Sequence, residues 1–118
     1  HEVLPNMIEN SYGRIINIGS VAGVYGNANS ADYSMTKGAV SSFTKALAKE
    51  VADKGITVNN VVPGSVRNEG ANRETELCYM GRCGELEEYA YLICFLASDK
   101  AAYISGQDYQ IDGCRKKN

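Results

Sequence analysis

The feature that most constrains this chain is a pair of β-branched apolar blocks separated by one long helical stretch. Ile15, Ile16 and Ile18 form the first block, and Ile56 to Val62 form the second. Short, continuous apolar blocks of this kind suit parallel strands covered on both faces. Between them Val40, Phe43, Leu47 and Val51 recur at helical spacing, which predicts a helix near 31–53. Asn29 or Ser30 is placed to cap its start, and Gly55 follows Lys54 as its stop. Strand, helix and strand make a βαβ unit, whose crossover is expected to be right-handed.

The flanking segments extend this pattern. Val3, Leu4, Met7 and Ile8 give a partial helical stripe that stops before Ser11-Tyr12-Gly13. Gly19, Gly23 and Gly26 follow the first strand, but their spacing is not GxGxxG. They read as a flexible loop presenting Ser20 at the carboxyl end of that strand. Asn17 is expected to bond a neighbouring loop, and Asn59 and Asn60 to serve as hydrogen-bonding framework. After Pro63-Gly64, residues 65–84 are polar and without period, and read as a mobile loop. Glu85, Glu87 and Glu88 then open a helix near 85–98 that buries Leu86, Tyr89, Ala90, Ile93 and Leu96 or Ala97. Tyr103 to Ile111 reads as a last strand, giving three parallel strands near 14–19, 56–62 and 104–111. The basic run Arg115-Lys116-Lys117 reads as a solvated tail.

Composition narrows the classes of function. At 118 residues the chain is one domain, and its net charge of −2 leaves no basic stripe for nucleic acid or a membrane surface. Its apolar runs fall short of the roughly 20 residues of a membrane span. Cys78, Cys83, Cys94 and Cys114 lack CxxC pairing and the one His is terminal, so no metal is expected. Free thiols fit a reducing cytosol, hence a cytoplasmic protein, with Cys94 a small core residue.

The chemistry-bearing residues are Ser20, Tyr33 and Lys37. On a helix Tyr33 and Lys37 are i and i+4, so phenol and ammonium emerge on one face. A free phenol has a pKa near 10, and a fixed cation beside a phenol favours the phenolate, which suits such a pair to proton transfer. A serine hydroxyl at the preceding strand end would hold a carbonyl or alcohol oxygen while the proton moves.

The run Gly13 to Ser20, the Tyr33-x-x-x-Lys37 pair and Gly55-Ile56-Thr57-Val58-Asn59 through Pro63-Gly64 resemble the short-chain dehydrogenase/reductase family. The closest look is to its 3-oxoacyl-acyl-carrier-protein reductases, and the resemblance covers nearly the whole chain. It implies an α/β fold, the C-terminal catalytic half of a Rossmann-like, doubly wound parallel sheet, as a single domain over 1–118. It also implies hydride transfer between NAD or NADP and a small-molecule ketone or secondary alcohol. Ser20 would hold the substrate oxygen, Tyr33 would move the proton, and Lys37 would tune Tyr33 and bond the nicotinamide ribose. Pro63, Gly64 and Val66 match the stretch that meets the nicotinamide carboxamide, and Asn68 stands where the family usually has Thr. In the family an N-terminal half with the glycine-rich phosphate loop precedes the point matched by His1, so that half is expected to be absent here. The other reading is a truncated, catalytically incompetent fragment that acts at most as a structural or oligomerisation module.

Association is a further expectation. The small residues Ala39, Ala46 and Ala48 would let another helix pack closely, which suits an oligomer contact as well as a core. In the resembled family the first of these strands is interior, so its other edge is expected to be unpaired and apolar here, a liability for oligomerisation or aggregation. By resemblance the assembly is a homotetramer or homodimer.

Overall fold

The computed structural model describes residues 2–67 and 77–116. A short helix α1 (Leu4–Glu9) leads into strand β1 (Gly13–Ile18), a helical turn α2 (Ala22–Tyr25) and the long helix α3 (Ala31–Val51). Strand β2 (Ile56–Pro63), helix α4 (Leu86–Ala97) and strand β3 (Asp108–Ile111) follow. The sheet order is β1-β2-β3 and both pairings are parallel, with Ile15 opposite Val58 and Val61 opposite Tyr109. The expected α/β architecture of three parallel strands with crossover helices is present.

Strand alternation divides the core in two. Ile15, Ile56 and Val58 face Leu47, Ala48 and Val51 of α3, with Leu4 and Met7 of α1 closing that cluster. Ile16, Val61, Tyr109 and Ile111 share the second cluster with Leu92, Ile93 and Leu96 of α4 and with Ala101 and Ile104. β2 is buried from Ile56 through Val62, which explains its continuous apolar run.

Several expected details differ. Phe43 is 57% exposed, and Thr44, Ala48 and Val51 are the buried residues of α3. The shift follows from small residues: Ala48 fits against the sheet where Phe43 would not. Ala48 is therefore core and unavailable to a second helix, while Ala39 and Ala46 are exposed. Ser30 occupies the N-cap of α3 without a side-chain hydrogen bond, and Asn29 takes a left-handed φ of 65°. Gly55 does stop the unit, at φ 73° and against the Ser11 carbonyl, where a Cβ would collide.

The last strand begins at Asp108, because Tyr103 to Gln107 is drawn into turns. Ile104 N–H bonds the Ala101 carbonyl, and Gly106 has φ 74°. In α4, Leu86, Ala90 and Cys94 are exposed, and Leu92 joins Ile93 and Leu96 on the packed side. The described parts of the polar loop, residues 65–67 and 77–84, are tied down: Val66 pairs with Gly84, Cys78 pairs with Arg115, and Cys78 and Cys83 are buried.

Glu85 and Glu88 form a capping box at the start of α4. Glu88 also takes two hydrogen bonds of 2.7 Å from the Arg82 guanidinium. Those bonds, with one from the Glu85 backbone, hold the Glu88 pKa down at about 2, from an ordinary 4.5. A depressed folded-state value means this stabilisation is complete above the unfolded value and is lost as pH falls through the folded one. The urea midpoint of the protein should therefore decline between pH about 4.5 and about 2, and Glu88→Gln should flatten that part of the profile.

Candidate active site

The candidate residues meet at the carboxyl ends of the strands, where parallel α/β sheets place their sites. Ser20 lies two residues beyond β1, between two backbone bonds that carry the parallel pairing onward. Gly19 N–H reaches the Val61 carbonyl at 2.8 Å, and Val21 N–H reaches the Pro63 carbonyl at 3.1 Å. Ser20 Oγ accepts the Ala22 N–H at 3.2 Å, so its hydroxyl proton remains to be donated. The glycine-bearing segment after it is a helical turn, α2, and not the open loop its composition suggests. A Cβ on Gly23 would stand 2.6 Å from the Lys37 carbonyl carbon and from the Gly38 nitrogen, so α2 lies directly on the backbone of α3 at Lys37.

Tyr33 and Lys37 fall in the first two turns of α3. Lys37 Nζ lies 5.8 Å from the centroid of the Tyr33 ring and donates to the Ile18 carbonyl at 3.1 Å. The ammonium is thus braced by the strand that delivers Ser20. Ser20 and Tyr33 line one cleft of about 280 Å³, together with Val21, Ala22, Asn27, Gly64, Ser65, Leu77 and Arg115. Larger clefts lie elsewhere and contain neither residue.

Gly64 lines the cleft, but its N–H is committed to Ile111 at 3.0 Å. The Pro63 carbonyl is taken by Val21, and Val66 is engaged with Gly84 away from the cleft lining. Asn68 lies outside the described residues. Arg115 and Asn27 are cleft residues that sequence reasoning missed, since in sequence Arg115 reads as part of a solvated tail.

A polar row sets α3 over the sheet. Asn17, Asn60 and Asp108 are register partners across β1, β2 and β3 and point toward α3. Asn17 Nδ2 donates to Thr44 Oγ1 at 2.9 Å, so its partner is the helix and not a loop. Asn60 Nδ2 donates to Asp108 Oδ1 at 2.8 Å, and Asp108 Oδ2 receives Ser41 Oγ and Lys45 Nζ, each at 2.6 Å. Burial pushes the Asp108 pKa up, but the bonds from Lys45, Ser41 and Asn60 outweigh it and the net shift is downward. Asn60 Oδ1 is buried with no partner among the described residues, and the amide lies against Gly19, where a Cβ would be 2.9 Å away. On the opposite face Asn59 bonds the Ile104 carbonyl and the Gln107 N–H, as framework.

Comparison with known proteins identifies the family. A family model described as enoyl-(acyl carrier protein) reductase matches residues 1–114. The chain belongs to the short-chain dehydrogenase/reductase family. It is 48% identical over 113 residues to a 3-oxoacyl-[acyl-carrier-protein] reductase of Synechocystis, covering 91% of this chain and 46% of that one. It is 42% identical to the Vibrio cholerae enzyme of the same name, covering 94% of this chain and 49% of that one. It is 38% identical to a Sphingomonas 2-dehydro-3-deoxy-L-rhamnonate dehydrogenase (NAD(+)), at 97% and 49% coverage. The crystal structure of the TT0495 protein from Thermus thermophilus superposes with a TM-score of 0.84 at 36% identity, covering 92% of this chain and 51% of that one. The chain spans about half the length of the curated relatives it matches.

The contact at Gly23 gives a direct test of how the site is held. Gly23→Ala forces α2 off α3 and should cost about 1–3 kcal/mol in urea unfolding. Gly38→Ala, whose Cβ would meet the Gly23 carbonyl at an ordinary 3.4 Å, should be tolerated.

Proposed function

We propose that this chain is the catalytic half of an NAD(P)-dependent oxidoreductase that interconverts a ketone and a secondary alcohol. The observation that carries the reading is the shared cleft of Ser20 and Tyr33, with the Lys37 ammonium beside the Tyr33 ring. The residues suit the nicotinamide end of the cofactor. Lys37 spends one N–H on Ile18 and keeps two others to offer ribose hydroxyls.

A bound nicotinamide supplies the hydride in reduction and accepts it in oxidation. In reduction Ser20 donates a hydrogen bond to the substrate oxygen and polarises the carbonyl. As the new C–H bond forms, the carbonyl π pair moves onto that oxygen. Tyr33 then delivers its phenolic proton there, completing the alcohol. Lys37 stands beside the resulting phenolate and offsets its charge. The braces from Ile18 and Gly23 keep the groups aligned, so little reorganisation accompanies the reaction. The phosphate-binding part of the cofactor site belongs, on this reading, to the half that the relatives carry in addition. Assembly as a homo-oligomer and work in the cytoplasm are parts of the same proposal, supported by family membership.

The test uses the complete enzyme, this chain with that further half. Tyr33→Phe removes only the transferable proton and should lower turnover by about 10²–10⁴-fold while cofactor affinity is kept. Lys37→Ala should lower turnover and weaken cofactor binding together. Turnover in Tyr33→Phe equal to the parent's contradicts the assignment.

A further inference from the structure

Arg115 is a cation held in the wall of the cleft, and two sets of backbone bonds place it there. Asp112 Oδ1 accepts the N–H groups of Cys114 at 3.0 Å and Arg115 at 3.3 Å, which turns the chain back after β3. The returning segment then pairs antiparallel with residues 77–79: Lys116 N–H bonds Leu77 and Tyr79 N–H bonds Cys114, both at 2.9 Å. Arg115 is thereby fixed beside Ser20 and Tyr33.

The electrostatics of that cleft are one-sided. Among the described residues its lining contains no carboxylate, and its other polar members, Ser20, Asn27, Tyr33 and Ser65, are neutral. The other described arginines are engaged. Arg67 pairs with Glu85, Arg82 pairs with Glu88, and Arg14 bonds the Ser98 carbonyl and stacks on Tyr12. Among the described residues the Arg115 guanidinium has no ion pair. A fork of N–H donors beside two hydroxyls matches a planar or tetrahedral oxyanion carried near a reacting carbonyl.

On the catalytic reading given above, we propose that Arg115 is a substrate-recognition residue and that the substrate is a small ketone or secondary alcohol that carries an anionic group, with its carboxylate or phosphate seated on Arg115. The anion anchors the molecule while its ketone or alcohol oxygen lies between Ser20 and Tyr33. Arg115 takes no part in proton or hydride transfer, so it governs which substrate is used and not the chemical step.

The experiment measures kcat/KM in the complete enzyme for two matched pairs. The pairs are 3-oxobutanoate against its methyl ester, and hydroxyacetone phosphate against hydroxyacetone. The parent should prefer the charged member of one pair, and which pair tells carboxylate from phosphate. Arg115→Met should lower kcat/KM for that charged substrate by about 10- to 100-fold and leave its neutral partner unchanged, while Arg115→Lys should recover part of the loss. Absence of a charge preference in the parent, including absence of turnover with all four compounds, overturns the proposal. Equal losses for charged and neutral members in Arg115→Met overturn it too. Tyr33→Phe, assayed alongside, separates the two readings. If it is inert while Arg115→Met retains the charge preference, this inference alone fails. If Tyr33→Phe matches the parent, the catalytic reading fails with it.

Discussion

The placement of α3 on the sheet depends on the polar row Asn17, Asn60 and Asp108. Hydrophobic packing alone would let a helix slide along a surface of Ile and Val side chains, because burial is not directional. Hydrogen bonds at 2.6–2.9 Å, from Asn17 to Thr44 and from Ser41 and Lys45 to Asp108, fix one axial position. Ser41 is one turn beyond Lys37 and two turns beyond Tyr33, so the register set at the row is also the register of Tyr33 and Lys37. The arrangement has a cost. Asn60 Oδ1, buried with no partner among the described residues, costs about 1–3 kcal/mol of lost solvation, which a purely apolar strand would not incur. In return the amide spans from Asp108 to Gly19, the residue before Ser20. Strand end and helix are thereby linked through two side chains, Asn60 and Asp108.

A division of labour follows. Tyr33 and Lys37 sit on a regular helix braced by backbone contacts, whereas the cleft wall beside them comes from connecting segments: Asn27 before α3, Ser65 after β2, and Leu77 and Arg115 from the paired segments beyond β2 and β3. A rigid helix is suited to chemistry that tolerates little displacement, and loops are suited to recognition that varies.

Much of the fold was legible because its signals are local. The blocks at Ile15–Ile18 and Ile56–Val62 announced strands, and Tyr33 and Lys37 announced a shared helix face. What escaped were contacts made across long separations. Asn17 finds Thr44, Asp108 finds Asn60, and Arg115 finds the wall beside Ser20, and none of these pairings leaves a periodic trace. Phe43 misled because helical spacing gives a stripe without saying which flank the sheet touches, and the small residues Thr44 and Ala48 won that contact. Cys94 misled for the same reason, an apolar residue on the outer flank of α4. Gly23 carried a signal that composition hides: a glycine after a strand reads as looseness, yet here it marks close backbone contact.

The claim that the row transmits position from strand to helix is tested most directly by a double-mutant cycle between Asn60→Ala and Ser41→Ala. The two side chains have no hydrogen bond to each other and are linked through Asp108. Unfolding of the complete protein in urea should show a coupling energy of about 0.5 kcal/mol or more, as residues in one hydrogen-bond network do. Effects that add to within about 0.3 kcal/mol would contradict the account, since Asn60 and Ser41 would then act independently.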